Sequence, residues 1–166
     1  PVFLSANFGA AHFADDRLAE VLAEILAEAG LPPERLKVEI TETTLIVNSD
    51  ARAALARIKA LGASISLDDF GTGYSGLSYL SQFPIDYLKI DKSFVGVMLD
   101  DRKTGEIIRS VVHLAGQLEI DAIAEGVEDE AQAEFLRSVG CVYGQGFLYG
   151  QAQPAEAACA ALFDRA

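Results

Sequence analysis

Acidic, amide and lysine side chains recur in this sequence at the ends of short apolar segments. They are Asn7, Glu39, Glu42, Asp68, Asp69, Lys89, Asp91, Glu125 and Gln145. Taken singly, each could be a solvated loop residue or a helix cap. Their repeated position at the same end of successive segments favours a shared site, because the carboxyl ends of the strands of a (β/α) barrel converge on one mouth.

Carboxylates gathered at one mouth would repel one another by several kcal/mol at low effective dielectric. Either raised pKa values or hard divalent cations would relieve that repulsion. The oxygen-rich set, with the adjacent Asp68 and Asp69, is suited to Mg²⁺ or Mn²⁺ and could bridge two metals, as in sites that hydrolyse phosphodiesters. Lys89, the one basic residue of the set, either forms a salt bridge with a neighbouring carboxylate or holds or protonates a phosphate oxygen.

Two kinds of segment alternate along the chain. The predicted strands are Val2–Phe8, Leu36–Ile40, Ala63–Leu67, Tyr87–Ile90, Asp121–Ala124 and Cys141–Phe147. Helical periodicity or end signals mark Arg17–Ala29, Ala51–Leu61, Glu106–Leu118, Asp129–Val139 and a last helix opened by Pro154. Asp15 and Asp16 are predicted to cap the first helix, and Asn48, Ser49 and Asp50 precede the second. This alternation predicts parallel βαβ units.

The fold is then either an open doubly wound sheet or a barrel. Gly71-Thr72-Gly73-Tyr74-Ser75-Gly76 fits the glycine pattern of dinucleotide-binding folds, but no long helix follows it and Pro84 comes soon after. We therefore interpret this segment as a loop, which weakens the case for a dinucleotide-binding sheet without by itself deciding the fold.

Composition limits the classes of partner. The length of 166 residues and the hydrophobic fraction of 51% are typical of one globular domain. The formal charge is −12, and the pI is near 4.4. Because no basic block occurs, binding to nucleic acid polymers or anionic membranes is not expected. The two cysteines, Cys141 and Cys159, lack zinc spacing and suggest free thiols in a cytoplasmic protein.

Six segments resemble the motifs of the EAL domain family, in the family's order and over the whole chain. They are Ser5–Ala10, Glu39-Ile40-Thr41-Glu42, Asp68-Asp69-Phe70-Gly71-Thr72-Gly73, Lys89-Ile90-Asp91-Lys92-Ser93-Phe94, Ala124-Glu125-Gly126-Val127-Glu128 and Gln145-Gly146-Phe147. The resemblance implies a TIM-like (β/α)8 barrel that hydrolyses cyclic di-GMP to linear pGpG with Mg²⁺ or Mn²⁺, in a bacterial cytoplasm. Ca²⁺ is expected to inhibit, because it prefers longer bonds and higher coordination numbers.

The same resemblance implies a role for each site residue. Metal ligands would be Asn7, Glu39, Asp68 and Asp69, with Asp68 bridging two metals. Catalytic residues would be Lys89, which contacts the water and phosphate, Glu125 and Gln145, which complete the second metal's surroundings, and Glu42, which fixes the loop after Asp69. Substrate binding would involve Glu128, which reads a guanine edge, together with Asp91 and Phe147.

The family's first strand, with its Glu-x-Leu-x-Arg motif, has no counterpart in residues 1–166, which we interpret as one N-terminally incomplete domain of about six βα units. A homodimer formed through the loop after Asp69 and fusion to sensory or GGDEF domains are expected. Two alternatives remain: a receptor that binds cyclic di-GMP without hydrolysis, and a structural interaction module. A receptor would typically have lost an acid or the lysine, whereas Asp68, Asp69 and Lys89 are all present.

Overall fold

The computed structural model describes residues 2–47, 51–71, 80 and 82–163. Its strands are β1 (Leu4–Asn7), β2 (Leu36–Thr41), β3 (Ser64–Phe70), β4 (Tyr87–Ile90), β5 (Asp121–Glu125) and β6 (Tyr143–Gln145). Its helices are α1 (Leu18–Glu28), α2 (Glu42–Val47), α3 (Ala51–Ala60), α4 (Lys92–Val95), α5 (Arg102–Gln117), α6 (Glu130–Ser138) and α7 (Ala155–Phe163). Short 3₁₀ turns cover His12–Ala14 and Pro33–Arg35.

The six strands form one parallel sheet in the order β1-β2-β3-β4-β5-β6. Each strand therefore pairs with its neighbour in sequence, and the order never reverses. A doubly wound sheet would contain such a reversal, at which its ligand would bind. The prediction of a barrel-type sheet over a dinucleotide-binding fold is confirmed.

The core lies between the sheet and its helices. Val38, Ile65, Leu67 and Leu88 are buried on the strands, and they meet buried residues of the helices such as Leu55. On α1, Leu18, Leu22 and Leu26 are buried against this core, whereas Ile25 is 54% exposed.

A glycine with a positive φ follows each of three helices, with φ of 63° at Gly30, 107° at Gly62 and 90° at Gly140. This is a common way for a helix to end. The predicted cap of α1 is wrong. Its N-cap is Arg17, which has no side-chain capping bond, and Asp15 instead accepts a hydrogen bond from the Arg17 amide at 2.8 Å.

Several boundaries differ from the sequence prediction. Helix α5 begins four residues before Glu106, at Arg102, because Asp101 accepts hydrogen bonds from the amides of Lys103 and Thr104. Strands β1 and β6 are shorter than the apolar runs that contain them. The sequence prediction missed α2 and α4. The predictions made for Asn48, Ser49 and Asp50 and for the loop residues 72–76 lie outside the described residues.

The two outer strands of the sheet, β1 and β6, leave apolar side chains exposed. Leu4 is 54% exposed on β1, and Val142 beside β6 is 73% exposed. Within the part of the chain that the structure describes, no helix is long and apolar enough to cross a bilayer.

Candidate metal centre

Lys89 lies at the middle of the polar cluster. Its ammonium is 2.8 Å from Glu39 Oε2, 3.0 Å from Asp68 Oδ1 and 2.7 Å from Glu125 Oε1. The four side chains come from four adjacent strands, β2 to β5, one from each. The parallel register of these strands brings the side chains to one face of the sheet. Lys89 is only 4% exposed and Glu39 only 8%, so the cluster is largely removed from solvent.

The pKa of Lys89 reflects two opposing effects. Burial alone would lower it, but hydrogen bonds to Glu125, Glu39 and Asp68 more than compensate and raise the pKa above its usual value. Lys89 therefore stays protonated and serves as a hydrogen-bond donor rather than as a base. The sequence left two roles open for Lys89, a salt bridge or an interaction with a phosphate oxygen. Its position is compatible with both, because Lys89 is ion-paired and also lies beside the mouth of the barrel.

A backbone irregularity brings Asp68 and Asp69 to the same mouth. Asp69 has a left-handed backbone with φ 56°, and the pairing of β3 with β4 shifts between Leu67 and Phe70. Strict strand alternation would point adjacent side chains to opposite faces. A positive φ is uncommon for non-glycine residues, although Asp and Asn tolerate it better than most. The left-handed backbone at Asp69 and the register shift therefore interrupt strand alternation at this pair.

Asp68, Asp69 and Glu125 each offer one carboxylate oxygen, and these oxygens lie within 4.8 Å of one another. Burial, followed by the nearby Asp68 and Asp91, raises the pKa of Asp69. Burial also raises the pKa of Glu125, against the lowering effect of Lys89. One lysine therefore leaves the acidic cluster incompletely neutralised, which is the electrostatic condition that favours a bound cation.

Asn7 and Gln145 lie at the two ends of this row of strands. Asn7, the last residue of β1, pairs in register with Glu39, and Gln145, the last residue of β6, pairs with Glu125. Both amides are exposed. An oxygen-only donor set of carboxylates and amides fits Mg²⁺ or Mn²⁺ and lacks the nitrogen and sulfur ligands typical of zinc.

Glu42 is the first residue of α2 rather than part of β2, which ends at Thr41. Its side chain is 3% exposed, and Oε1 accepts a hydrogen bond from the Gly71 amide at 3.2 Å. Gly71 directly follows β3 and precedes the predicted loop. This contact holds the start of that loop against α2.

A pocket of about 350 Å³ adjoins the cluster. Its lining includes four predicted site residues and one lysine that was not predicted to take part: Glu125, Glu128, Gln145, Phe147 and Lys92. Phe147 is 66% exposed, so its ring is accessible.

Asp91 is not among the residues that line this pocket. Its carboxylate caps α4 and accepts hydrogen bonds from the Ser93 amide at 3.0 Å and from Ser93 Oγ at 2.5 Å. The Ser93 side chain lowers the pKa of Asp91.

Lys92 is the residue that the sequence analysis did not single out. Its position in the sequence could have indicated a role, because Lys92 directly follows the segment Lys89-Ile90-Asp91. An exposed lysine at the start of a helix has no distinctive pattern, however, and only the three-dimensional structure places it beside Glu128 and Phe147.

A parallel sheet of barrel type, with carboxylates and one lysine at the carboxyl ends of its strands, is typical of (β/α)-barrel proteins, in which these ends form the functional mouth. The comparison with known families makes the assignment specific. The EAL domain model matches residues 1–152, and the chain belongs to the EAL domain family. Its sheet is thus part of a TIM-like (β/α)8 barrel, as predicted.

Some of the similar proteins carry names or titles that mention cyclic di-GMP. The chain is 41% identical over 154 residues to the bifunctional diguanylate cyclase/cyclic di-GMP phosphodiesterase MucR of Pseudomonas aeruginosa. This match covers 92% of the present chain and 22% of MucR. The MucR phosphodiesterase in complex with cyclic di-GMP superposes with a TM-score of 0.87 at 40% identity, over 94% of this chain and 64% of the other. The chain spans about a fifth of the length of the curated relatives that it matches.

Solved structures of two further proteins are similar. The EAL domain of Mycobacterium smegmatis DcpA has a TM-score of 0.91 at 36% identity, and the match covers 98% of this chain and 73% of that one. Klebsiella pneumoniae BlrP1 has a TM-score of 0.82 at 34% identity, over 88% of this chain and 38% of its own, in complexes of cyclic di-GMP with calcium and with manganese.

Proposed function

We propose that the domain containing this chain hydrolyses cyclic di-GMP to linear pGpG with the help of Mg²⁺ or Mn²⁺. The observation that supports this most directly is the cluster of Asp68, Asp69 and Glu125 oxygens beside the protonated Lys89. The cyclic di-GMP complexes of MucR and BlrP1 support the choice of substrate.

In this proposal, Asn7, Glu39 and Asp68 would hold one cation, and Asp68 and Asp69 a second. Glu125 and Gln145 would complete the surroundings of the second. Divalent cations bound there would supply positive charge to the reacting phosphate and lower the pKa of a water. The donor set fits such ions because it consists of oxygen atoms only.

Lys89 would act directly on the substrate phosphate. Its ammonium remains protonated and is held by three carboxylates, so its position is fixed before substrate arrives. A preorganised donor in a water-poor site stabilises developing negative charge more than a mobile one, because no reorganisation is needed during the reaction.

The base of the substrate would occupy the pocket beside the cluster. The Phe147 ring would stack on the guanine, and the Glu128 carboxylate would accept hydrogen bonds from its N1–H and N2–H groups. Asp91 would contribute indirectly, since its cap on α4 fixes the helix that borders this pocket.

The proposed activity has a direct test on the natural full-length protein. With Mg²⁺ or Mn²⁺ we expect cyclic di-GMP to be converted to pGpG, as measured by chromatography. Ca²⁺ should suppress turnover, because its longer bonds and higher coordination loosen a compact site. Binding of cyclic di-GMP without any linear product, with both activating metals supplied, would instead indicate a non-hydrolysing receptor.

We also propose a homodimer formed through the loop after Asp69. Glu42 accepts a hydrogen bond from Gly71 at the start of that loop. An apolar pocket of about 330 Å³ lies beside Gly71 and is lined by Phe70, Phe94 and Ile107 among others.

We also propose fusion to sensory or GGDEF domains, because the curated relatives are several times longer than this chain. A cytoplasmic location, with any membrane tether outside this chain, is proposed from the unpaired Cys141 and Cys159.

A further inference from the structure

Lys92 is held at one side of the pocket by tight backbone packing. It is the first residue of α4, whose N-cap Asp91 accepts a hydrogen bond from the Ser93 amide. Across from it, Gly126 has φ +69°, and a methyl group added there would lie 2.6 Å from Lys92 Cβ. Lys92 can approach the turn after β5 this closely only because residue 126 is glycine.

Hydrogen bonds also constrain the backbone of the other residues that line the pocket. The Val127 amide donates to the Gln145 carbonyl at 3.0 Å, and the Leu148 amide donates to the Val127 carbonyl at 3.0 Å. The Glu128 amide donates to Gln132 Oε1 at 2.7 Å. The backbones that carry Lys92, Glu128 and Phe147 are therefore fixed relative to one another.

The charges around the pocket are complementary to a ligand that has both donors and acceptors. Among the lining residues, Glu125 is committed to Lys89, and Glu128 is an exposed carboxylate. Lys92 is the one cation of that lining, and within the described residues its ammonium has no ion-pair partner within 4 Å. In a chain of net charge −12, an unpaired cation beside two carboxylates is available to a ligand.

We propose that Lys92 is a specificity-determining residue that donates hydrogen bonds to O6 and N7 of a guanine base in this pocket. The proposal rests on the proposed function and assigns a residue to the same site. Guanine presents N1–H and N2–H donors on one edge and the O6 and N7 acceptors beside them. A carboxylate cannot bind the acceptors, whereas lysine is a suitable donor to both of them. Glu128 and Lys92 together would therefore bind both kinds of group.

The test uses Lys92→Met in the natural full-length protein, with Lys103→Met as the matched control, because Lys103 is an exposed lysine on α5 outside this pocket. Binding is measured by calorimetry in Ca²⁺, the ion present with cyclic di-GMP in a BlrP1 complex. We expect Lys92→Met to weaken cyclic di-GMP binding about tenfold, the size of one charge-assisted hydrogen bond. Lys92→Arg should restore most of the affinity, and Lys103→Met should bind normally.

A second ligand identifies the atoms involved. A cyclic dinucleotide of 7-deazaguanine lacks N7, so the parent protein should bind it more weakly than cyclic di-GMP. Lys92→Met should bind the two ligands nearly equally, and in Mg²⁺ its KM should rise while kcat changes by less than about threefold, as for an interaction made equally in ground and transition states. Equal discrimination by parent and variant would point to a phosphate contact and overturn the proposal, as would unchanged affinity in Lys92→Met.

Failure of the proposed function is seen separately. If the parent protein neither binds nor hydrolyses cyclic di-GMP, the function itself is wrong. If the parent binds it and Lys92→Met, with an unchanged unfolding midpoint, binds it equally well, only the role of Lys92 is wrong.

Discussion

Lys89 shows how one side chain can have both a structural and a chemical role. Its ammonium lies within 3.0 Å of oxygens from Glu39, Asp68 and Glu125, so it neutralises carboxylates that would otherwise repel one another. The same ammonium stays protonated beside the mouth of the barrel. A purely structural ion pair and a catalytic donor therefore differ in what the protein loses when the lysine is removed.

Lys89→Ala should lower kcat by at least about a hundredfold with little change in KM, the size of effect seen when one preorganised donor is removed. It should also lower the unfolding midpoint in the absence of metal, because three carboxylates lose their cation. Added Mg²⁺ should then raise the midpoint more in the variant than in the parent. Steady-state rates and thermal unfolding on the intact protein measure both effects.

Lys59→Ala is the matched control for that variant. Lys59 also forms an ion pair, with Asp86, but at the opposite ends of the strands and half-exposed. A modest loss of stability with unchanged rates per folded molecule is expected, since exposed pairs contribute about 0–1 kcal/mol. If Lys89→Ala behaved in the same way, the catalytic role of Lys89 would be refuted.

Asp69 provides a different test, because its predicted role is to hold metal. Asp69→Asn keeps the shape of the side chain and its tolerance of a positive φ, but removes one negative charge. We expect activity to fall at low Mg²⁺ and to recover in part as Mg²⁺ is raised. A metal titration of the initial rate measures this, and a loss of activity that no metal concentration relieves would argue against Asp69 as a ligand.

Among the elements, the contact between the end of β6 and the turn after β5 positions the pocket. A methyl group added at Gly146 would overlap the backbone of Val127, which is fully buried. Gly146→Ala should therefore separate the two segments and displace Phe147 and Glu128. We expect a destabilisation of about 1–3 kcal/mol, as for overpacking of a core, together with weaker binding of cyclic di-GMP.

Gly116→Ala is the control for that substitution. Gly116 lies near the end of α5, and a methyl group added there meets no atom within 4 Å. Because alanine favours helix by up to about 1 kcal/mol over glycine, this variant should be neutral or more stable and bind normally. Urea unfolding of the two variants compares them, and equal stabilities would show that the β6 contact does not fix the pocket.

The sequence predicted the elements better than their ends. Short apolar runs located the six strands, and periodic apolar residues located most of the helices between them, because these signals are local. The early start of α5 depended on Asp101, which looks like any loop acid until its carboxylate is seen to accept from two amides. The predicted caps of α1 failed for the converse reason, since Asp15 stabilises a preceding turn instead.

The site was predicted in part for a similar reason. Polar residues at strand ends indicated the cluster, because a parallel sheet brings these ends together whatever the details of packing. The pairing of Lys89 with three carboxylates at once, and the approach of Lys92 to Gly126, depend on contacts between residues far apart in sequence. No periodic pattern encodes such contacts.

At the scale of the whole molecule, β1 and β6 are the outer strands of the sheet, and each pairs with one other strand among the described residues. Unpaired backbone groups on β1 and β6 can template pairing with another chain. Exposed apolar side chains, including Leu4, Val142 and Phe147, accompany these edges. In a closed barrel the strands at both edges would be hydrogen-bonded, and no such edges would remain.

Residues 1–166 expressed alone should therefore associate and show no significant turnover. Sedimentation velocity should detect concentration-dependent oligomers, and chromatography should detect no pGpG in Mg²⁺ or Mn²⁺. The natural full-length protein, assayed in parallel, provides the reference for turnover. Leu4→Lys and Val142→Lys place charges along the two edges and should reduce association, because charged side chains disfavour pairing between edges. Robust hydrolysis by a monomeric 1–166 segment would show instead that six strands suffice to hold the site, and would refute the argument from open edges.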